Sequence, residues 1–140
     1  MSTCELCATA GGEVLFADPF LRVIAVDDVL HPAFCRVIWQ GHVREMTDLV
    51  PEDRHRLMAA VFSTERALRD ALPVAKINLA SLGNVTPHLH WHVIARFPDD
   101  PHFPAPIWAT ARHARAAPVP KDWRTVVGAA LALALPAPAV

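Results

Sequence analysis

Short apolar runs broken by turn residues open the chain, and a long stretch of helical spacing follows. "EVLFA" (13–17) and "FLRVIAVDD" (20–28) predict two strands joined by a turn at Asp18-Pro19. "FCRVIWQ" (34–40), entered through "HPA" and left at Gly41, predicts a third. Over 51–72, "PEDRHRLMAAVFSTERALRDAL", the apolar positions Leu57, Val61, Leu68 and Leu72 fall on one side of a helix. Pro51 suits its first turn, and Glu52 and Asp53 complement the helix dipole there. Pro73 ends it, and "VAKINLASL" (74–82) and "HLHWHVIARF" (88–97) predict strands four and five. The stretch "PDDPHFPAPIWATARHARAAPVPK" is too rich in proline for regular structure throughout, and "DWRTVVGAALALAL" (122–135) predicts a final helix. The expected fold class is α+β, a mostly antiparallel five-stranded sheet with one long helix and a C-terminal helix. Residues 1–97 would form the core, with 98–140 an extension packed on the same domain.

The fifth strand carries the chemistry. Successive side chains of a strand point to opposite faces, so His88, His90 and His92 share one face at a spacing of about 7 Å. Leu89, Trp91 and Val93 face the other way and can anchor the strand. An imidazole titrates near neutrality and serves as nucleophile, acid, base or metal ligand. A lone core histidine is usually structural, but three in register, backed by a tryptophan, point to a site.

Composition narrows the options. Of 140 residues 53% are hydrophobic and 19% charged, which suits one folded domain. A formal net charge of −1 gives no electrostatic argument for nucleic-acid binding. No stretch reads as a signal peptide or a membrane span, so the three cysteines are expected to be reduced in the cytoplasm. Cys4 and Cys7 form a Cys-x-x-Cys pair, which alone is half a zinc site. A redox motif is disfavoured because no strand precedes the pair and no helix is expected to start at Cys7. Cys35 alternates with Val37 and reads as core. His31 reads as a turn residue before Pro32, His55 lies on the polar face of the long helix, and His102 and His113 fall in the proline-rich region.

"HLHWHVI" satisfies every position of His-φ-His-φ-His-φ-φ, with φ apolar, and so resembles the histidine triad (HIT) nucleotide hydrolases and transferases. The likeness extends through "FCRVIWQGHVREMTDL", the long helix and "INLASLGN", covering roughly residues 1–97. "FPDDPHFPAPIW" looks like the C-terminal extension of one bacterial branch. The resemblance implies attack by His90 on the α-phosphorus of a nucleotide, with a covalent nucleotidyl-histidine intermediate. His92 would contact the phosphate or assist the leaving group. Asn78 corresponds to an amide facing the phosphates. Asn84 stands where the family commonly has glutamine, in a "GNVT" loop that departs from the usual Gly-Gln-x-(Val/Ser), or is simply a turn residue after Gly83. Asp27 or Asp28 is a candidate for the ribose, or a solvated turn residue, and Leu6, Phe16 and Ile24 could line a base pocket. Ala95 replaces a frequent proline.

Some bacterial members carry a Cys2His2 zinc, and Cys4, Cys7, His42 and His88 match those positions. A structural zinc and no catalytic cofactor are therefore expected. The implied substrates are adenosine phosphoramidates, acylated or aminated nucleotides, or dinucleoside polyphosphates. The expected partner is a second copy of the chain through 51–72 and 74–82. Two other classes compete: a three-histidine zinc hydrolase, poorly suited because His88 and His92 start about 13 Å apart, and a non-catalytic nucleotide-binding adaptor.

Overall fold

The computed structural model describes residues 3–136. In chain order it contains helix α1 (Glu5–Ala8), strands β1 (Glu13–Ala17), β2 (Leu21–Ala25) and β3 (Phe34–Trp39), helix α2 (Pro51–Ala71), strands β4 (Lys76–Ala80) and β5 (His90–Arg96), and helix α3 (Trp123–Ala134). The strands form one sheet in the order β1-β2-β3-β5-β4, with every pairing antiparallel. The α+β expectation holds.

Each strand divides its side chains between two environments. Leu21, Val23 and Ala25 on β2, Cys35, Val37 and Trp39 on β3, Ile77 on β4, and Val93 and Ala95 on β5 enter one core with α2 and α3. Helix α2 supplies Leu57, Val61 and Leu68, as read from the sequence, with Ala60, Thr64 and Ala67 on the same stripe, while Leu72 is its C-cap. Thr64 satisfies its buried hydroxyl by donating to the Ala60 carbonyl at 2.7 Å. Phe16 also packs on this core, placed there by an irregularity between Val14 and Phe16 that shifts the β1–β2 register. It therefore turns away from the histidine face, against the expectation of a base-pocket role.

The opposite face carries Arg22, Ile24, Arg36, Ile38, His90 and His92. The N-terminal segment covers part of it: Leu6, Ile24 and Ile38 form a second small core. Arg22 anchors that cover by donating to the carbonyls of Ala10 (2.8 Å), Leu6 (2.7 Å) and Thr9 (3.1 Å). Gly11 sits at φ +90°, where an L side chain is strained, and a Cβ there would meet Leu6 Cδ2 at 2.9 Å.

A single helical turn, Glu5–Ala8, runs through Cys7 with Cys4 at its N-cap; no helix starts at Cys7, and among the described residues no strand precedes the pair, as expected. Two local readings differ from the structure. Strand five starts at His90 rather than 88, because the His88 carbonyl accepts from the His90 ring and is lost to the ladder. His31 and His102 are not bland loop residues: they are 3% and 5% exposed and share a 2.8 Å Nε2–Nδ1 hydrogen bond. Nearby, Asp100 accepts from Arg96 Nε (2.9 Å) and Nη2 (3.1 Å) and from the backbone N–H groups of Phe97, His102 and Phe103. Burial pushes the Asp100 carboxyl up, but Arg96 and those N–H groups outweigh it and hold it far below the usual range. This network fastens the proline-rich segment to the end of β5, so it is ordered without helix or strand.

Candidate active site and metal-ligand cluster

His90 and His92 line a cavity of about 390 Å³ together with Glu5, Leu6, Gly11, Arg36, Trp108 and the loop 82–86. β5 presents both rings on one face, edge-to-face with centroids 5.1 Å apart. They are 7% and 6% exposed.

Hydrogen bonds assign the ring tautomers. His90 Nδ1–H donates to the His88 carbonyl at 2.5 Å, which leaves the lone pair on Nε2. Burial lowers the His90 pKa, the His88 carbonyl opposes that, and the Arg36 charge adds to it. The ring is neutral near pH 7 with one nitrogen free to attack. His92 Nδ1 accepts from Arg36 Nε–H at 3.4 Å, so its own proton sits on Nε2. Burial, then Arg36, then His90 push its pKa down to about 4. Phe34 and Trp108 hold the His92 ring by edge contacts at 5.6 and 5.3 Å.

His88 turns elsewhere. Its Nε2–H donates to the Trp39 carbonyl at 2.6 Å, which aims Nδ1 away from the cavity. That nitrogen lies 3.4 Å from Cys4 Sγ, 3.5 Å from Cys7 Sγ and 3.2 Å from His42 Nδ1. The ligand atoms of all four residues lie within 4.8 Å of one another. Tetrahedral zinc with ordinary bond lengths separates two nitrogens by about 3.3 Å and a nitrogen from a sulfur by about 3.6 Å. The donor set and its spacing therefore fit that ion. Arg22 stands beside the cluster, 7% exposed, its pKa lowered by burial against the opposing influence of Cys7 and Cys4.

The remaining sequence candidates divide. Asn84 lines the cavity beside Gly83, whose φ of +76° explains the glycine. Asn78 shares the histidine face of the sheet but is not in the cavity lining, and its Oδ1 accepts from Arg96 Nη1 at 2.7 Å. Asp27 pairs with Arg124 at 2.8 Å and its side chain is 87% exposed. Asp28 accepts from the N–H groups of Leu30 and His31, as a turn residue does. Neither aspartate lines the cavity. Leu6 does, while Ile24 lies beneath it in the small core. Arg36, Trp108 and Glu5 line it without having been singled out from the sequence. The signal for Arg36 was available: it alternates with Cys35 and Val37, so it had to face the histidines.

The fold and site together are an antiparallel sheet with two neutral imidazoles on one strand, opening on a cavity beside a Cys2His2 cluster. The HIT domain model matches residues 10–99, and the chain belongs to the HIT domain family. That membership supports a place in the superfamily that contains the nucleotide-binding hydrolases and transferases. A histidine triad protein from Marinobacter aquaeolei superposes with a TM-score of 0.71 at 26% identity, covering 96% of this chain and 95% of that one. One from Sinorhizobium meliloti gives 0.70 at 27% identity, over 90% and 91%. A zinc-bound histidine triad family protein from Mycobacterium smegmatis gives 0.69 at 23% identity, over 94% of each chain, a likeness of fold. No curated protein matches the chain significantly.

Proposed function

We propose that this chain is a nucleotide hydrolase or nucleotidyl transferase that works at the α-phosphate through a covalent nucleotidyl-His90 intermediate. The observation that carries the reading is the His90 tautomer: Nδ1–H is tied to the His88 carbonyl, which leaves the lone pair on Nε2 of a residue that lines the cavity. In the first step the Nε2 lone pair forms a bond to the α-phosphorus while the bond from phosphorus to the leaving group breaks, the leaving atom keeping the electron pair. Water then attacks the same phosphorus, the P–N bond breaks, and the nucleoside monophosphate departs with His90 restored. His92 contacts the phosphoryl oxygens through Nε2–H, and Asn84 with the 82–86 loop N–H groups adds donors where charge grows. Adenosine phosphoramidates and dinucleoside polyphosphates are the substrate types that fit this chemistry.

The ion of the Cys4, Cys7, His42 and His88 cluster is zinc in this reading, held as a structural group that fixes His88 and the N-terminal turn. No catalytic cofactor takes part. The chain acts as a homodimer in the cytoplasm, and the edge position of β4 and the exposed Phe62 on α2 support a contact there. No described helix is long and apolar enough to cross a membrane.

The test is release of AMP from an adenosine phosphoramidate and from a dinucleoside polyphosphate, wild type beside His90→Ala. Loss of at least about a thousandfold in the variant, with no loss on adding a chelator to the assay, supports the reading. Nucleotide binding without turnover in the wild type identifies an adaptor instead, and chelator-abolished turnover identifies metal catalysis.

A further inference from the structure

Two charged groups at the cavity, Glu5 and Arg36, have no part in the steps above, and Arg36 is the one hydrogen-bonded to a histidine of the site. Arg36 on β3 stands directly opposite His92 on β5 and lines the cavity. Its Nε–H donates to His92 Nδ1, and its guanidinium carbon lies 5.5 Å from the Phe34 ring centroid. A guanidinium has five N–H donors. The four on the terminal nitrogens make no hydrogen bond to another described residue, and Arg36 forms no ion pair with a described carboxylate. Glu5 and Asp28 are the acidic groups whose charge reaches it, and neither is in contact. Arg36 lines the cavity, where a phosphate oxygen offers its free donors a stronger, charge-assisted partner than water does.

The geometry points to Arg36 as a positioning and anion-binding residue of this site. Its Nε–H holds His92 as a neutral imidazole with the proton on Nε2, and its terminal nitrogens take oxygens of the nucleotide's phosphate. The second half rests on the nucleotide reading above; the first half stands on the hydrogen bond alone. The groups facing the His92 ring are few. From β5 comes His90, from β3 Arg36 and Phe34, and from the proline-rich segment Trp108. The β4 register partner, Ala80, carries no charge. Arg36 is thus the one fixed charge in contact with that ring among the described residues.

Histidine nitrogen NMR on the metal-loaded protein separates hydrogen bond from charge. Wild type is expected to show His92 protonated on Nε2 alone and neutral from pH 8 to below 5. Arg36→Leu raises its midpoint by about one unit or more toward 6.5 and frees the tautomer. Arg36→Lys keeps the midpoint low but still frees the tautomer. An unchanged midpoint and tautomer in Arg36→Leu would overturn the positioning role. For the anion, AMP and adenosine are titrated into His90→Ala, with and without Arg36→Leu. The AMP-over-adenosine preference should fall about tenfold to a hundredfold while adenosine affinity stays level. An unchanged preference would overturn the anion-binding role. If neither ligand binds any variant, the nucleotide reading fails and anion binding with it, while the His92 spectra still decide the positioning role.

Discussion

On β3, Cys35 and Val37 are fully buried against the helices, while Arg36, between them, faces the histidines and the cavity. The same strands thus build two unlike surfaces. The helix face is held by non-directional apolar burial and needs only the right volume and periodicity. The histidine face is held by named donors and acceptors: His88 to the Trp39 carbonyl, His90 to the His88 carbonyl, Arg36 to His92, and Arg22 to three backbone carbonyls. A buried polar group that loses its partner is costly, so this face tolerates little exchange of residue type. Both faces add to stability, but only the histidine face fixes defined protonation states.

The comparison can be broken first on the helix face. Leu57 is fully buried in the N-terminal half of α2. Leu57→Ala should cost about 2–5 kcal/mol in chemical denaturation, while the His90 and His92 tautomers, read by NMR, stay as in the wild type. A change in those tautomers would show that the two faces are not separable.

On the other face, Cys4→Ser should take bound zinc from near one equivalent to near none in protein purified without chelator. With free metal about a thousandfold above its dissociation constant, that loss removes about 4 kcal/mol. Unchanged metal content in the variant would rule out the four-residue site.

The smallest effect is the sharpest contrast, because the faces should fail at opposite ends of the pH scale. His92 is held at about 4 and His31 is also lowered, both first by burial. Between about pH 6.5 and 4 the unfolded chain binds more protons than the folded one, so stability is whole above 6.5 and falls as pH drops through that window. Cys35 on the helix face is pushed up to about 12 by burial. Its contribution is whole below the ordinary thiol range, near 9, and is lost as pH rises toward 12. Denaturation midpoints from pH 4 to 11 should therefore fall at both ends. Cys35→Ala should flatten only the alkaline limb, and an unaltered limb would remove Cys35 as its cause.

Much of this was legible in the sequence, for physical reasons. Period-two alternation in "HLHWHVI" separates Leu89 and Val93, which enter the core, from His90 and His92, and a 3.6-residue rhythm marks Leu57, Val61 and Leu68. The Cys4, Cys7, His42 and His88 grouping followed from the likeness to zinc-carrying relatives, and the four ligand atoms do converge. What escaped depends on contacts distant in sequence. The His31–His102 pair bridges 71 positions, and Asn78 is claimed by an arginine 18 positions away. Asp27 pairs with Arg124, on a helix whose packing no local pattern specifies. Arg36 was legible too, since alternation with Cys35 and Val37 puts it on the histidine face.

The central claim is that His90 carries the nucleotide during turnover. Rapid mixing with an adenosine phosphoramidate or a dinucleoside polyphosphate, quenching and peptide mass spectrometry would test it most directly. The account predicts one AMP moiety on the peptide spanning residues 88–96, localised to His90 and absent from His90→Ala. Steady AMP release with no adduct at His90 under any quench, or an adduct on His92 instead, would contradict it.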